Sequence, residues 1–161
     1  MEHLIVIATK DEIKLVEELN LDNHPILITG VGGSNVIKAL RHIPRNISII
    51  NVGYAGGHRL QRGAKYYVSE SSLLHENVDY KEQTFVLTKF GIPCYTSTDF
   101  VTHTKKDGPC LFDMELAYIC SMFKNVTSIK FVSDNLSIEE YEEKINNDRK
   151  SKSKTSRQNR R

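Results

Sequence analysis

The chain has 161 residues, 39% of them hydrophobic, and a formal net charge of +2. That length and composition suit one domain with a sizeable core. No apolar stretch approaches the roughly 18 residues of a membrane span, and Glu2 and His3 run straight into a strand-like segment instead of a signal peptide.

Three cysteines, Cys94, Cys110 and Cys120, are odd in number and lack metal-ligand spacing. They read as free thiols of a cytoplasmic protein, with no metal or cofactor to hold. The charge is divided. Residues 149–161 carry seven Lys or Arg and no acid, while residues 1–148 carry fifteen bases and twenty acids, a net −5. Residues 1–148 therefore read as one mildly acidic domain, and 149–161 as a basic low-complexity tail, disordered from Lys150 onward. Such a tail can touch nucleic acid or an anionic membrane; a solvated terminus without a partner is the plainer reading.

In chain order, Leu4–Ala8 is a first strand. Thr9 and Glu12 form a capping box ahead of a helix from Lys10 to about Leu19, with Ile13 and Val16 on one face. A turn over Asn20–Pro25 leads into a second strand, Pro25–Thr29. Gly30, Gly32 and Gly33 form a loop, and Ser34 caps a helix over Asn35–His42. Ile47, Ile49, Ile50 and Val52 make a buried strand, followed by a glycine loop at Gly53, Gly56 and Gly57. Strand, helix, strand, helix, strand in so short a span favours a parallel sheet with helical crossovers. Ligands in such sheets bind beyond the carboxyl ends of the strands, which makes the second glycine loop one wall of a site. Neither glycine loop matches a dinucleotide fingerprint or a P-loop.

Further strands are expected over Ala64–Ser69, Phe85–Thr88 and Cys94–Thr98, with the acidic segment His75–Asp79 on a loop between the first two. Thr102–Pro109 is a charged loop, Leu111–Phe123 a helix, and Ser128–Ser133 the last strand. Ser137 and Glu140 then form a capping box for a helix over Ile138–Asn146.

Three acids stand where a parallel sheet would present them. Glu12 follows the first strand, Asp134 follows the last, and Glu115 lies in a mainly apolar helix. An acid among apolar neighbours is costly unless paired or used, and it can carry a raised pKa and move protons. Each also has a plainer role: Glu12 as a helix cap, Asp134 as a cap for the helix at Ser137, Glu115 on a solvent face.

The segments ITGVGGSN, INVGYAGG, KYYVSE with HENVD, CYTSTDFV, FDMELAYI and IKFVSDN follow in this order. In that order the chain resembles the purine nucleoside phosphorylase and nucleosidase family, most closely a shortened methylthioadenosine/S-adenosylhomocysteine nucleosidase. The resemblance covers roughly residues 3–140. It implies a trimmed nucleoside phosphorylase-like fold: three layers, α/β, with a central mixed, largely parallel sheet.

It also implies hydrolysis of the N-glycosidic bond of a purine nucleoside with a 5′ substituent. Glu12 would orient or deprotonate water, Asp134 would protonate N7 of the leaving purine, and Glu115 would hold the ribose hydroxyls. Met114 would pack on the sugar, Phe100 would stack on the base, and the backbone of Val101 would read its edge. Ala8, Gly53, Ala55, Gly56 and Asp113 complete the substrate-binding set. No cofactor is implied. A homodimer is, with a partner loop closing the 5′ side, a part for the Thr102–Pro109 loop. Asp113 stands where the family usually has glutamate. Two alternatives stay open: a non-catalytic nucleoside-binding protein and a phosphate-dependent phosphorylase. A phosphorylase needs cationic or hydroxyl donors for phosphate, and the glycine loops contain no Arg.

Overall fold

The computed structural model describes residues 2–74 and 83–158, with 152–158 described by backbone alone. The segment His75–Asp79, expected as an acidic loop, lies outside the described residues.

The strands are β1 (His3–Ile7), β2 (Ile26–Ile28), β3 (Ser48–His58), β4 (Lys65–Leu73), β5 (Thr84–Val86), β6 (Ile92–Thr96), β7 (Cys110–Asp113) and β8 (Val126–Asp134). The helices are α1 (Ile13–Glu18), α2 (Gly33–Leu40), α3 (Leu116–Met122) and α4 (Ile138–Gln158), and a single 3-10 turn over Lys10–Glu12 precedes α1. This is a mixed α/β chain around one sheet in the order β2-β1-β3-β7-β6-β4-β5. Strand β8 also pairs with both β3 and β4, so β3, β7, β6, β4 and β8 hydrogen-bond in a closed circuit.

Consecutive residues of β1 serve different cores, which is why the run is apolar without alternation. Ile5 and Ile7 pack with Leu15, Val16, Val52 and Ile145, beneath α1 and α4. Val6 packs with Val36, Leu40, Ile49, Ile119 and Phe123, beneath α2 and α3. β1 is parallel to both β2 and β3, as the helical crossovers require.

Four sequence expectations are corrected. First, Gly53, Gly56 and Gly57 lie inside β3, which runs on to His58, and do not form a loop. Second, the helix expected over Leu111–Phe123 is a strand, β7, followed by the shorter α3. The apolar spacing of Leu111 and Phe112 belongs to a buried strand parallel to β6. Third, α2 begins at Gly33, so Ser34 lies within it and Gly32 occupies the cap position. Fourth, the backbone of α4 continues through the basic segment to Gln158, where disorder was expected. Ion pairs formed by Asp148 and Arg149 carry the helix past Asn146.

Candidate active site

The site grows out of β3. Gly53 pairs with Lys130 of β8, and the carboxylate of Glu12 lies over it. Glu12 Oε2 accepts the Tyr54 N–H at 2.7 Å. Its Oε1 accepts from Ala8 N at 2.8 Å and Thr9 N at 3.2 Å. A Cβ on residue 53 would stand 2.5 Å from Oε2, so only glycine lets this carboxylate reach the strand. Glu12 is 6% exposed. Burial pushes its pKa up, against the pull of Lys130 and the three N–H donors.

Lys130 was not anticipated. It is the largest side chain buried almost completely, at 1% exposure. Its Nζ is 3.0 Å from Asp113 Oδ2. Burial alone would lower its pKa, but Asp113, Glu115 and Glu12 together hold it above the ordinary lysine range. Asp113 also accepts from Thr96 Oγ1 at 2.6 Å and from Leu116 N at 2.8 Å, the latter holding the start of α3. The sequence signal for Lys130 was present but quiet: a lysine flanked by Ile129, Phe131 and Val132 in a strand paired on both sides.

Glu115 precedes α3 at its cap position and is not inside a helix. Its Oε2 accepts the Gly32 N–H at 2.9 Å, across from the first glycine loop. Gly32 has φ +91°, a conformation open to glycine, and it aims that N–H at the carboxylate. Burial, and then the Asp113 charge, raise the Glu115 pKa to about 7. An unfolded glutamate titrates near 4.5. The folded state thus holds the extra proton between these values, and stability falls as pH rises from about 4.5 through about 7. Glu115→Gln, which cannot ionise, should gain stability relative to the parent between pH 4 and pH 8, by on the order of 2 kcal/mol. Denaturant melts at the two pH values check this; an unchanged difference would refute it.

Asp134 ends β8. The β3–β8 register slips there, so that Gly56 pairs with Asp134 and Ser133 is the extra residue. Such a bulge re-aims the strand end. Asp134 Oδ2 comes within 3.3 Å of where a Cβ on Gly56 would be. Asp134 Oδ1 accepts from Ser133 Oγ at 2.6 Å, and Oδ2 from Ser137 N at 3.2 Å, so it also caps the turn into α4. The Ser137 Oγ accepts from Glu140 N at 3.2 Å, the expected half of the capping box. Burial raises the Asp134 pKa above the usual aspartate value.

Gly56, Phe100, Val101, Asp113 and Met114 line one small cleft with Asp99 and Phe112. Its volume is 30 Å³, about the share of one water in the liquid. Ala8 and Gly53 instead serve Glu12, and Ala55 is buried with its carbonyl accepting from Ser133 Oγ at 3.4 Å. Phe100 meets the ring of Tyr141 on α4 edge-on, with centroids 5.7 Å apart. Burial raises the pKa of Tyr141 on α4, and the charges of Glu12, Asp11, Asp134 and Glu115 add to it. Among the described residues, no group of three or more His, Cys, Asp or Glu is placed to hold a metal. No helix among them is long and apolar enough to cross a membrane.

The fold that carries this site, a mixed α/β sheet, has counterparts among solved structures. The particular solved structures that share it are methylthioadenosine/S-adenosylhomocysteine nucleosidases (MTAN). The MTAN of Chlamydia trachomatis superposes with a TM-score of 0.70 at 20% identity, over 92% of this chain and 90% of that one. The Neisseria meningitidis enzyme, solved with methylthio-immucillin-A, gives 0.69 at 17% identity, over 90% and 92%. The Streptococcus pneumoniae enzyme, solved with the transition-state inhibitor MT-ImmA, gives 0.68 at 16% identity, over 90% and 92%. A point variant of the C. trachomatis protein has been solved with MTA, and the C. trachomatis protein with adenine. No family model matches this chain, and no curated protein matches its sequence. The chain has the MTAN fold.

Proposed function

We propose that the chain hydrolyses the N-glycosidic bond of a purine nucleoside with a 5′ substituent, of the methylthioadenosine kind, and releases the free purine. One observation carries the reading: Glu12 lies over Gly53 and Asp134 beside Gly56 on the same strand, β3, and Gly56 lines a cleft with Phe100, Val101 and Met114. Breaking an N-glycosidic bond makes a cationic sugar and a base that must gain a proton. Asp134, whose pKa burial raises above the usual aspartate value, is the acid that gives a proton to N7. Glu12, its pKa raised by burial and held back by Lys130, takes one from water. Glu115 offers a carboxylate to the ribose diol. The homodimer goes with this reading, the 102–109 loop being the part a second copy would meet.

Hydrolysis is favoured over phosphorolysis because the nearby arginines are committed. Arg62 pairs with Glu140 at 3.5 Å and Glu143 at 3.7 Å, and donates to the Ser133 carbonyl at 3.0 Å. Arg59 donates to the Asp107 carbonyl. The test is chromatography of methylthioadenosine incubated with the protein, with and without phosphate. Adenine and free sugar at the same rate in both are expected. Release only with phosphate, as sugar 1-phosphate, would replace hydrolysis by phosphorolysis. Bound nucleoside with no product would leave a binding protein.

A further inference from the structure

We propose that Asp148 and Arg149 of α4 are a positioning pair for Glu12, tying together the two elements that hold its carboxylate. This rests on the reading of Glu12 as the group that activates water.

The Glu12 carboxylate is held by N–H groups from two places. Ala8 and Thr9 lie at the end of β1, and Tyr54 lies on β3. Its aim therefore depends on how the 3-10 turn and α1 sit against β3. The Asp148 carboxylate spans that gap. It accepts a hydrogen bond from the Tyr54 hydroxyl and pairs with Lys14 of α1 at 3.1 Å. Lys144, one turn back on α4, adds a second cation at 3.2 Å. Burial alone would raise the Asp148 pKa, but these three donors hold it below the usual aspartate value.

Arg149 grips the residue before Glu12. Its Nε and a terminal nitrogen donate to the two Asp11 oxygens at 2.8 and 2.9 Å. One stretch of α4 thus fixes Glu12 through its chain neighbour and through the residue whose N–H binds its carboxylate. A bidentate guanidinium–carboxylate pair fixes orientation as well as distance. The start of the basic segment thereby acquires a part in the site that its composition conceals.

Two full-length variants test this: Tyr54→Phe, which removes no charge, and Asp148→Asn. Three quantities are read: kcat and KM for methylthioadenosine, the titration midpoint of Glu12 by carboxyl NMR assigned with Glu12→Gln, and the melting temperature. A displacement of about 1 Å far from the chemistry can cost on the order of 100-fold. The expected result is a 10- to 100-fold fall in kcat with KM within about twofold of the parent. The Glu12 midpoint should move down as water reaches the carboxylate. The other groups whose charges couple to Glu12 are untouched by Tyr54→Phe: Lys130 of β8, Glu115 and Tyr141. A midpoint that moves in Tyr54→Phe therefore reports position and not lost charge. Variants that melt lower yet keep the parental kcat and Glu12 midpoint would overturn the proposal. A parent that releases no purine would defeat the hydrolase reading, and the titration then decides alone: an unmoved midpoint in Tyr54→Phe overturns the positioning pair.

Discussion

Asp134→Asn is expected to bind a purine nucleoside much as the parent does and to release purine on the order of 10²–10⁴-fold more slowly. The amide keeps the shape of the carboxyl: its oxygen can accept from Ser137 N while its NH2 donates to Ser133 Oγ, so the bulge and the start of α4 should survive. What it lacks is a transferable proton. A purine leaving as an anion is a poor leaving group, so the deficit falls on turnover and not on affinity. Three measurements decide: nucleoside affinity, purine release in a single turnover, and thermal stability. If Asp134 served only to cap α4, the variant would melt lower with release nearly intact. A folded variant with undiminished release would sink the mechanism.

The second large effect concerns Lys130. Lys130→Met leaves Asp113 buried, charged and without its cation, while Thr96 and Leu116 still donate to it. Removing one partner of a buried pair costs about 3–5 kcal/mol, because the other charge stays behind. For a chain of this size that is on the order of 10 °C in Tm. Activity should fall too, since the same ammonium balances Glu12 and Glu115. The double variant Lys130→Met with Asp113→Asn should recover much of the stability and little of the activity. A single variant losing under about 1 kcal/mol would mean that the carboxylates do not depend on this lysine.

The elements and the acids were legible in the sequence for physical reasons. Ile5, Val6 and Ile7 are apolar in succession because both faces of β1 are covered. Glu12, Glu115 and Asp134 stood out because acids next to apolar runs at element ends need a reason. Gly53 and Gly56 were singled out and assigned to a loop, whereas they lie within β3. A glycine that bends a turn and a glycine that admits a carboxylate look the same in sequence; only the partner 41 positions away, Glu12 against Gly53, separates them. Leu111–Phe123 misled because a short buried strand followed by a short helix has no single period. Lys130 was missed because strand lysines ordinarily face water, and its three anions come from the 3-10 turn, β7 and the residue before α3. The helical backbone beyond Asn146 depends on Asp11, Lys14 and Tyr54, long-range partners that local composition cannot announce.

The narrowness of the cleft beneath Phe100 has a consequence in time. On the proposed function, a cleft of 30 Å³ bounded by Phe100 and Val101 would have to widen to admit a bicyclic base. If the open arrangement is populated a small fraction of the time, the apparent dissociation constant is the intrinsic one divided by that fraction. Association then becomes slower than the diffusional encounter of a small molecule with an open pocket, and it saturates at the opening rate as nucleoside concentration rises. The Tyr141 ring packs edge-on against Phe100, so it would part from Phe100 or move with it in such a widening. The helix on which Phe100 rests is also the one whose later turns grip Asp11 and the Tyr54 hydroxyl.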